Sequence, residues 1–98
     1  MADIAIARED GETKGRYVHR PADGGEEAEM TFSKVSDTRI IVDHTYVPDA
    51  MRGLGVGQAL ALRVVEDARR DGVRIIPLCP FFKAQALRHP EWADVVEL

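Results

Sequence analysis

Apolar positions in this chain repeat with a period of two up to about residue 47 and with a period near 3.6 from Val56 to Asp71. Ile4 and Ile6 alternate with other residues across Asp3 to Arg8, which predicts a first strand, and the polar, glycine-bearing stretch Glu9 to Lys14 predicts a turn. Gly15 to Arg20 returns as a strand through Tyr17 and Val18. Pro21 to Glu27 carries a proline, two glycines and three acidic residues, the composition of a solvated loop. Met30, Phe32 and Lys34 then alternate with Glu29, Thr31 and Ser33 across Ala28 to Val35, although Lys34 leaves the core-facing side ambiguous. After a short turn at Ser36 and Asp37, Thr38 to Val47 is rich in β-branched residues and forms the longest predicted strand, ended by Pro48.

From Val56 to Asp71 the pattern becomes helical, with Val56, Leu60, Val64 and Ala68 in one row, Ala61 and Val65 beside it, and Arg63, Asp67, Arg70 and Asp71 on the other side. Glu66 is spaced to pair with Arg69 or Arg70, and Gly72 stands where a left-handed cap residue stops a helix. Val73 to Leu78 reads as a further strand, in which Pro77 donates no ladder hydrogen bond, so the strand's end is expected to leave its neighbour. Phe81 to Arg88 predicts a short helix, broken at His89-Pro90. Four antiparallel strands in a meander, then a strand, helix, strand crossover from Thr38 to Leu78, make an α+β domain whose last two strands run parallel. Ligands of such crossovers bind beyond the carboxyl ends of the strands.

Length changes this picture only by limiting it: 98 residues give one domain, taken as 1–98, with one core. Apolar residues at 45% and charged residues at 31% describe a chain that folds. No apolar run approaches a membrane span and no leader pattern opens the chain, so the expected location is cytoplasmic, with no membrane partner. The single cysteine, Cys79, has no disulfide partner and no His/Cys cluster to make a zinc site. A net charge of −4, from 13 Lys and Arg against 17 Asp and Glu, with neither sign in a long block, argues against DNA or RNA. No heptad or large apolar surface predicts more than a monomer or a weak homodimer.

The candidate chemistry lies in Val47 to Gln58, where Gly53, Gly55 and Gly57 alternate between a strand and a helix. Glycines permit close backbone approach, and the helix start offers free N–H groups and the positive end of its dipole, so the natural occupant is an anion. A nucleoside-triphosphate loop requires a Lys-Ser or Lys-Thr after a glycine, and none is present. A dinucleotide fingerprint requires a third glycine at position 58, which is Gln58.

What fits is Gln/Arg-x-x-Gly-x-Gly/Ala, met by Arg52, Gly55 and Gly57, with Gly53 adding a match to the R-G-x-G-x-G form. This resembles the pyrophosphate loop of the GCN5-related N-acetyltransferases, which bind acetyl-coenzyme A. His44-Thr45-x-Val47-Pro48, Pro77-x-Cys79-Pro80-Phe81 and His89-Pro90-Glu91-Trp92, in that order, look like the small single-domain family often named after YjdJ. One departure is Tyr46, where that family implies an acidic residue.

The resemblance implies a mostly antiparallel sheet with a V-shaped opening between the Thr38 and Val73 strands, and transfer of acetyl from acetyl-coenzyme A to an amine. It implies pantetheine hydrogen-bonded near Val47 and pyrophosphate on a nest of backbone N–H groups over Arg52, Gly53, Leu54, Gly55, Val56, Gly57 and Gln58, with Lys83 reaching a phosphate. Cys79 would lie near the thioester, as acyl-accepting nucleophile or proton donor, against the alternative of a small buried hydrophobe. His44 would take a proton from the amine, against the alternative of a histidine hydrogen-bonded within the sheet. Phe81 and Trp92 read as packing anchors. The rival expectation is a coenzyme-binding module without transferase activity, and a third is an interaction domain with a vestigial loop.

Overall fold

Alternation and β-branching produce five strands joined in chain order. In a computed structural model, which describes residues 4–98, these are β1 (Ala7–Asp10), β2 (Lys14–His19), β3 (Ala28–Ser36), β4 (Arg39–Tyr46) and β5 (Arg74–Pro77), ordered β1-β2-β3-β4-β5 in one sheet. The first three pairings are antiparallel, and β4 with β5 is parallel. Helix α1 (Val56–Asp71) makes the crossover, and α2 (Pro80–Arg88) follows β5. The expected α+β class, the parallel pair and the long helix are all present.

α1 begins after Gly55 and ends at Gly72, both left-handed, and its apolar row packs Val56, Leu60, Ala61, Val64, Val65 and Ala68 into the core. Met30, Phe32 and Val42 from the sheet and Phe82, Ala86 and Trp92 from the C-terminal part complete the same cluster. The C-terminal segment also covers the outer edge of β5, through a parallel bridge of Ile75 to Val96 and the Glu97 N–H donating to the Ile75 carbonyl at 2.8 Å. Among the described residues no helix is long and apolar enough to cross a membrane.

The structure corrects the sequence reading in three places. The first strand is Ala7–Asp10 rather than Asp3 to Arg8, because Glu9 and Asp10 pair with Arg16 and Gly15, while Ile4 and Ile6 pack against the core before the strand begins; Asp3 lies outside the described residues. Asp67 is not on a solvated helix face: only 5% of its side chain is exposed. It accepts hydrogen bonds from the Tyr17 hydroxyl at 2.9 Å, Arg63 Nε at 3.1 Å and an Arg8 guanidinium nitrogen at 3.2 Å, which ties α1 to β1 and β2. Glu66 makes neither expected pair, since Arg69 binds Asp94 at 2.7 Å and Arg70 binds Asp71 at 2.9 Å. Lys34, ambiguous in sequence, reaches Asp10 at 3.1 Å at the end of the sheet.

The register of β3 against β4 slips between Thr31/His44 and Phe32/Val42, so Asp43 is an extra residue, a β-bulge. Strict alternation would place His44 with Val42 and Thr45 on the opposite side. The bulge reverses this parity. Thr45, paired with buried Met30, faces the helices, while Asp43 and His44 face the uncovered side with Ser33 and Thr31.

Candidate functional site

Three segments converge at the carboxyl end of β4. Pairing of β4 with β5 stops at Val42 and Pro77, and the last link is the Cys79 N–H donating to the Val42 carbonyl at 2.9 Å. Beyond it no backbone hydrogen bond joins Thr45, Tyr46 or Val47 to the β5 to α2 connection, as expected of a strand ending in a proline. This is the V-shaped opening.

Cys79 stands at one wall of the split, buried, as the cap residue of α2, with its Sγ 3.2 Å from Thr45 Oγ1. The contact exists only because the bulge turns Thr45 inward. His44 is exposed on the other side of the sheet, so the structure does not bring His44 and Cys79 together; it sets them on opposite faces of the same split.

The glycine segment forms the second wall. Pro48 leads into a 3-10 turn at Asp49–Met51, and Gly53 and Gly55 take φ of 78° and 81° in the left-handed region, with open space where a Cβ would project. The N–H groups of Gly53, Gly55, Val56, Gly57 and Gln58 find no acceptor among the described residues, and no acidic residue occupies the first turn of α1. Such a row of unsatisfied donors at a helix start fits a phosphate anion.

Gly57 serves a different purpose from the other two. It is helical, and a Cβ there would lie 2.7 Å from the Phe81 ring. Its absence lets α1 and α2 approach, which draws the glycine segment toward Cys79 two residues before Phe81. Phe81 is thus a packing residue, as expected, and it joins the two walls.

Arg52 is largely exposed and pairs with Asp49 at 3.1 Å, on the surface beside the loop. Leu54 and Gln58 are exposed at the same mouth, and Val47 is half-buried. Lys83 is exposed on α2, where it makes no ion pair among the described residues. Tyr46, standing where an acidic residue was expected, donates its hydroxyl to Glu26 at 2.6 Å; that carboxylate raises the phenol above its ordinary range. The sequence reading placed Glu26 in a solvated loop, and it is exposed, but the reading missed this bridge, and it missed Thr45. No local signal marks either, because both contacts join segments distant in the chain.

Residues 16–95 match the family model of the GCN5-related N-acetyl-transferases. The chain is also similar to a solved solution structure of a GCN5-like candidate N-acetyltransferase from Staphylococcus aureus, at 33% identity over 99% of this chain and 91% of that one, with a TM-score of 0.71.

Proposed function

We propose that this chain, which belongs to the GCN5-related N-acetyltransferase family, takes an acetyl group from acetyl-coenzyme A and transfers it to a primary amine. The observation that carries the donor is the set of N–H groups of Gly53, Gly55, Val56, Gly57 and Gln58 that find no acceptor among the described residues, beside a strand that has lost its neighbour at Val42. A pyrophosphate satisfies the first, and the amides of a pantetheine arm satisfy the second, along Thr45 to Val47. Arg52 can exchange its exposed carboxylate partner for a phosphate at little cost, since exposed ion pairs contribute only about 0–1 kcal/mol. Lys83 is the second cation on offer.

When bound, the coenzyme supplies a thioester whose carbonyl carbon accepts the amine: a C–N bond forms, the C–S bond breaks, and the amine loses a proton. His44 sits on the open face of the split, where an amine enters, and is assigned that proton. Cys79 and Thr45 line the other side, where the thiolate departs. Direct attack is favoured over an acyl-cysteine, because Cys79 is buried and holds its sulfur against Thr45 rather than toward solvent.

Calorimetry and thiol release test this together. Acetyl-coenzyme A is expected to bind, and Gly55→Ala, whose left-handed backbone a side chain strains by about 1–2 kcal/mol, is expected to weaken that binding. His44→Ala is expected to lower turnover by about 10²–10⁴-fold without changing coenzyme affinity. Cys79→Ala retaining turnover would exclude an obligatory acyl intermediate. Failure of acetyl-coenzyme A to bind below millimolar concentration removes the proposal, and binding without turnover on any amine leaves the non-catalytic module.

A further inference from the structure

Between α1 and the end of α2 lies a cavity of about 180 Å³. Its lining is Gln58 and Leu62, one turn apart on α1, Gln85 and His89, one turn apart across α2 and its cap, and Glu91 and Trp92 of the 3-10 turn that follows. The cavity stands away from the split, since Gln85 is roughly 9 Å along the axis of α2 from Cys79. Only Gln58 is shared with the glycine segment, so the cavity adjoins the anion site without being part of it.

Gln85 is 6% exposed, yet its side-chain amide makes no hydrogen bond among the described residues. No fully enclosed side-chain nitrogen or oxygen among those residues lacks a partner, so both polar atoms of this amide keep a small opening, and the opening is onto the cavity. A buried amide left open in this way costs stability until a ligand or water meets it. The other walls select the ligand. Phe82, Trp92 and His89 form a stack running outward from the core, with ring centroids 6.2 Å apart in the first pair and 4.3 Å in the second, and His89 is its half-buried outer ring. No lysine or arginine lines the cavity, and the carboxylate of Glu91 stands at its rim, 3.0 Å from His89 Nδ1. Anions are disfavoured there, and a flat neutral ring with hydrogen-bonding edges is admitted. A carboxamide pairs twofold with adenine, donating to a ring nitrogen and accepting from the exocyclic amine. A carboxylate also accepts from that amine, and it repels a carbonyl oxygen in the same place.

We propose that this cavity is a purine-base site selective for adenine, in which Gln85 reads the edge of the base and Glu91 rejects a purine with a carbonyl in place of the amine. Adenine reaches it in a free nucleoside or as the base of coenzyme A, whose pyrophosphate lies beside Gln58; the second source rests on the donor reading above.

The chain has a single tryptophan, so the Trp92 indole N–H gives one unambiguous NMR signal beside the Gln85 side-chain amide. Adenosine, inosine, coenzyme A and phosphopantetheine, which lacks a base, are titrated in turn into the whole isotope-labelled chain. Adenosine or coenzyme A is expected to shift both signals saturably and phosphopantetheine to leave them in place, with inosine binding at least about fivefold more weakly than adenosine. Coenzyme A displacing adenosine identifies the base as the coenzyme's own, and simultaneous binding of the two identifies a free nucleoside. Gln85→Leu keeps the size of the side chain and is expected to weaken the base-bearing ligand about tenfold, with the phosphopantetheine shifts at Gly55 and Gly57 unchanged. Equal affinity for adenosine and inosine in the unaltered chain, or undiminished affinity in the Gln85→Leu chain, overturns the proposal. Coenzyme A shifting Gly55 and Gly57 while neither it nor adenosine shifts Trp92 overturns the base site and leaves the donor reading standing. Adenosine shifting Trp92 while coenzyme A shifts nothing overturns the donor reading alone.

Discussion

At the scale of single residues, Asp67 shows how little of a polar side chain's role is visible in its helical position. Its spacing within α1 puts it opposite the apolar row, yet β1 and β2 wrap that side and enclose it with Tyr17, Arg8 and Arg63. Burial alone would push its carboxyl up, but the Tyr17 hydroxyl and the two guanidinium groups outweigh burial and hold it below the ordinary carboxylate range. The same enclosure raises the Tyr17 phenol, first through burial and then through Asp67. Asp67→Ala strands the buried Tyr17 hydroxyl and is expected to cost about 2–3 kcal/mol. Asp67→Asn, which still accepts from Tyr17, should cost less. Urea unfolding checks both, and an alanine variant as stable as the parent would show that the cluster contributes nothing net.

At the scale of elements, the bulge in β4 and the contact of α1 with α2 build the site. A one-residue insertion at Asp43 decides which of His44 and Thr45 meets Cys79, and period-two reasoning has no means of seeing it, since a bulge is defined by the partner strand. The glycine loop was legible as a strand-to-helix connection, but the three glycines looked alike in sequence and are not. Gly53 and Gly55 are required by backbone conformation, and Gly57 by the Phe81 ring. Gly57→Ala therefore sets a gain in helix propensity of up to about 1 kcal/mol against about 1–3 kcal/mol of overpacking. A net loss of stability is expected, and Phe81→Leu in the same chain should recover most of it. A thermal-unfolding cycle of the two single variants and the double variant measures the coupling; additive effects would mean that the ring does not oppose the Cβ.

At the scale of the whole molecule, ion pairs join parts of the chain that the core leaves at the periphery: Arg8 with Asp10, Arg39 with Glu97, Arg69 with Asp94 and Arg16 with Glu9 and Glu29. The carboxyls of Glu9, Asp10, Asp67, Asp94 and Glu97 are all held low, Glu9 by Arg20 first and then Arg16, the other surface carboxyls by the arginines named, and Asp67 against the opposing effect of burial. A depressed carboxyl stabilises the fold above the unfolded value of about 4 and ceases to do so as pH falls through the folded value. The raised Tyr17 phenol acts in the opposite sense: its contribution is complete below about pH 10 and is lost as pH rises from there. Stability should form a plateau between about pH 5 and pH 9.5, falling on both sides. Urea midpoints across that range check it, and Asp67→Asn should reduce the acid-side slope, while a midpoint flat down to pH 3 would contradict the assignment.

What the sequence determined by itself was everything carried by local periodicity and local backbone preference: the strand-rich first half, the helix from Val56 to Asp71 with Gly72 as its cap, the parallel crossover, the proline that ends β5, and a glycine-rich helix start with the spacing of an acetyltransferase loop. These follow from a few neighbouring residues, so one chain is enough to read them. The tertiary structure alone decided which faces those elements presented to each other. It placed Thr45 on Cys79, closed Phe81 over Gly57, buried Asp67 among arginines and brought Glu26 to Tyr46. Each of these contacts joins segments whose separation along the chain carries no periodic signal, and their geometry is set by strand register and helix approach, which only packing fixes.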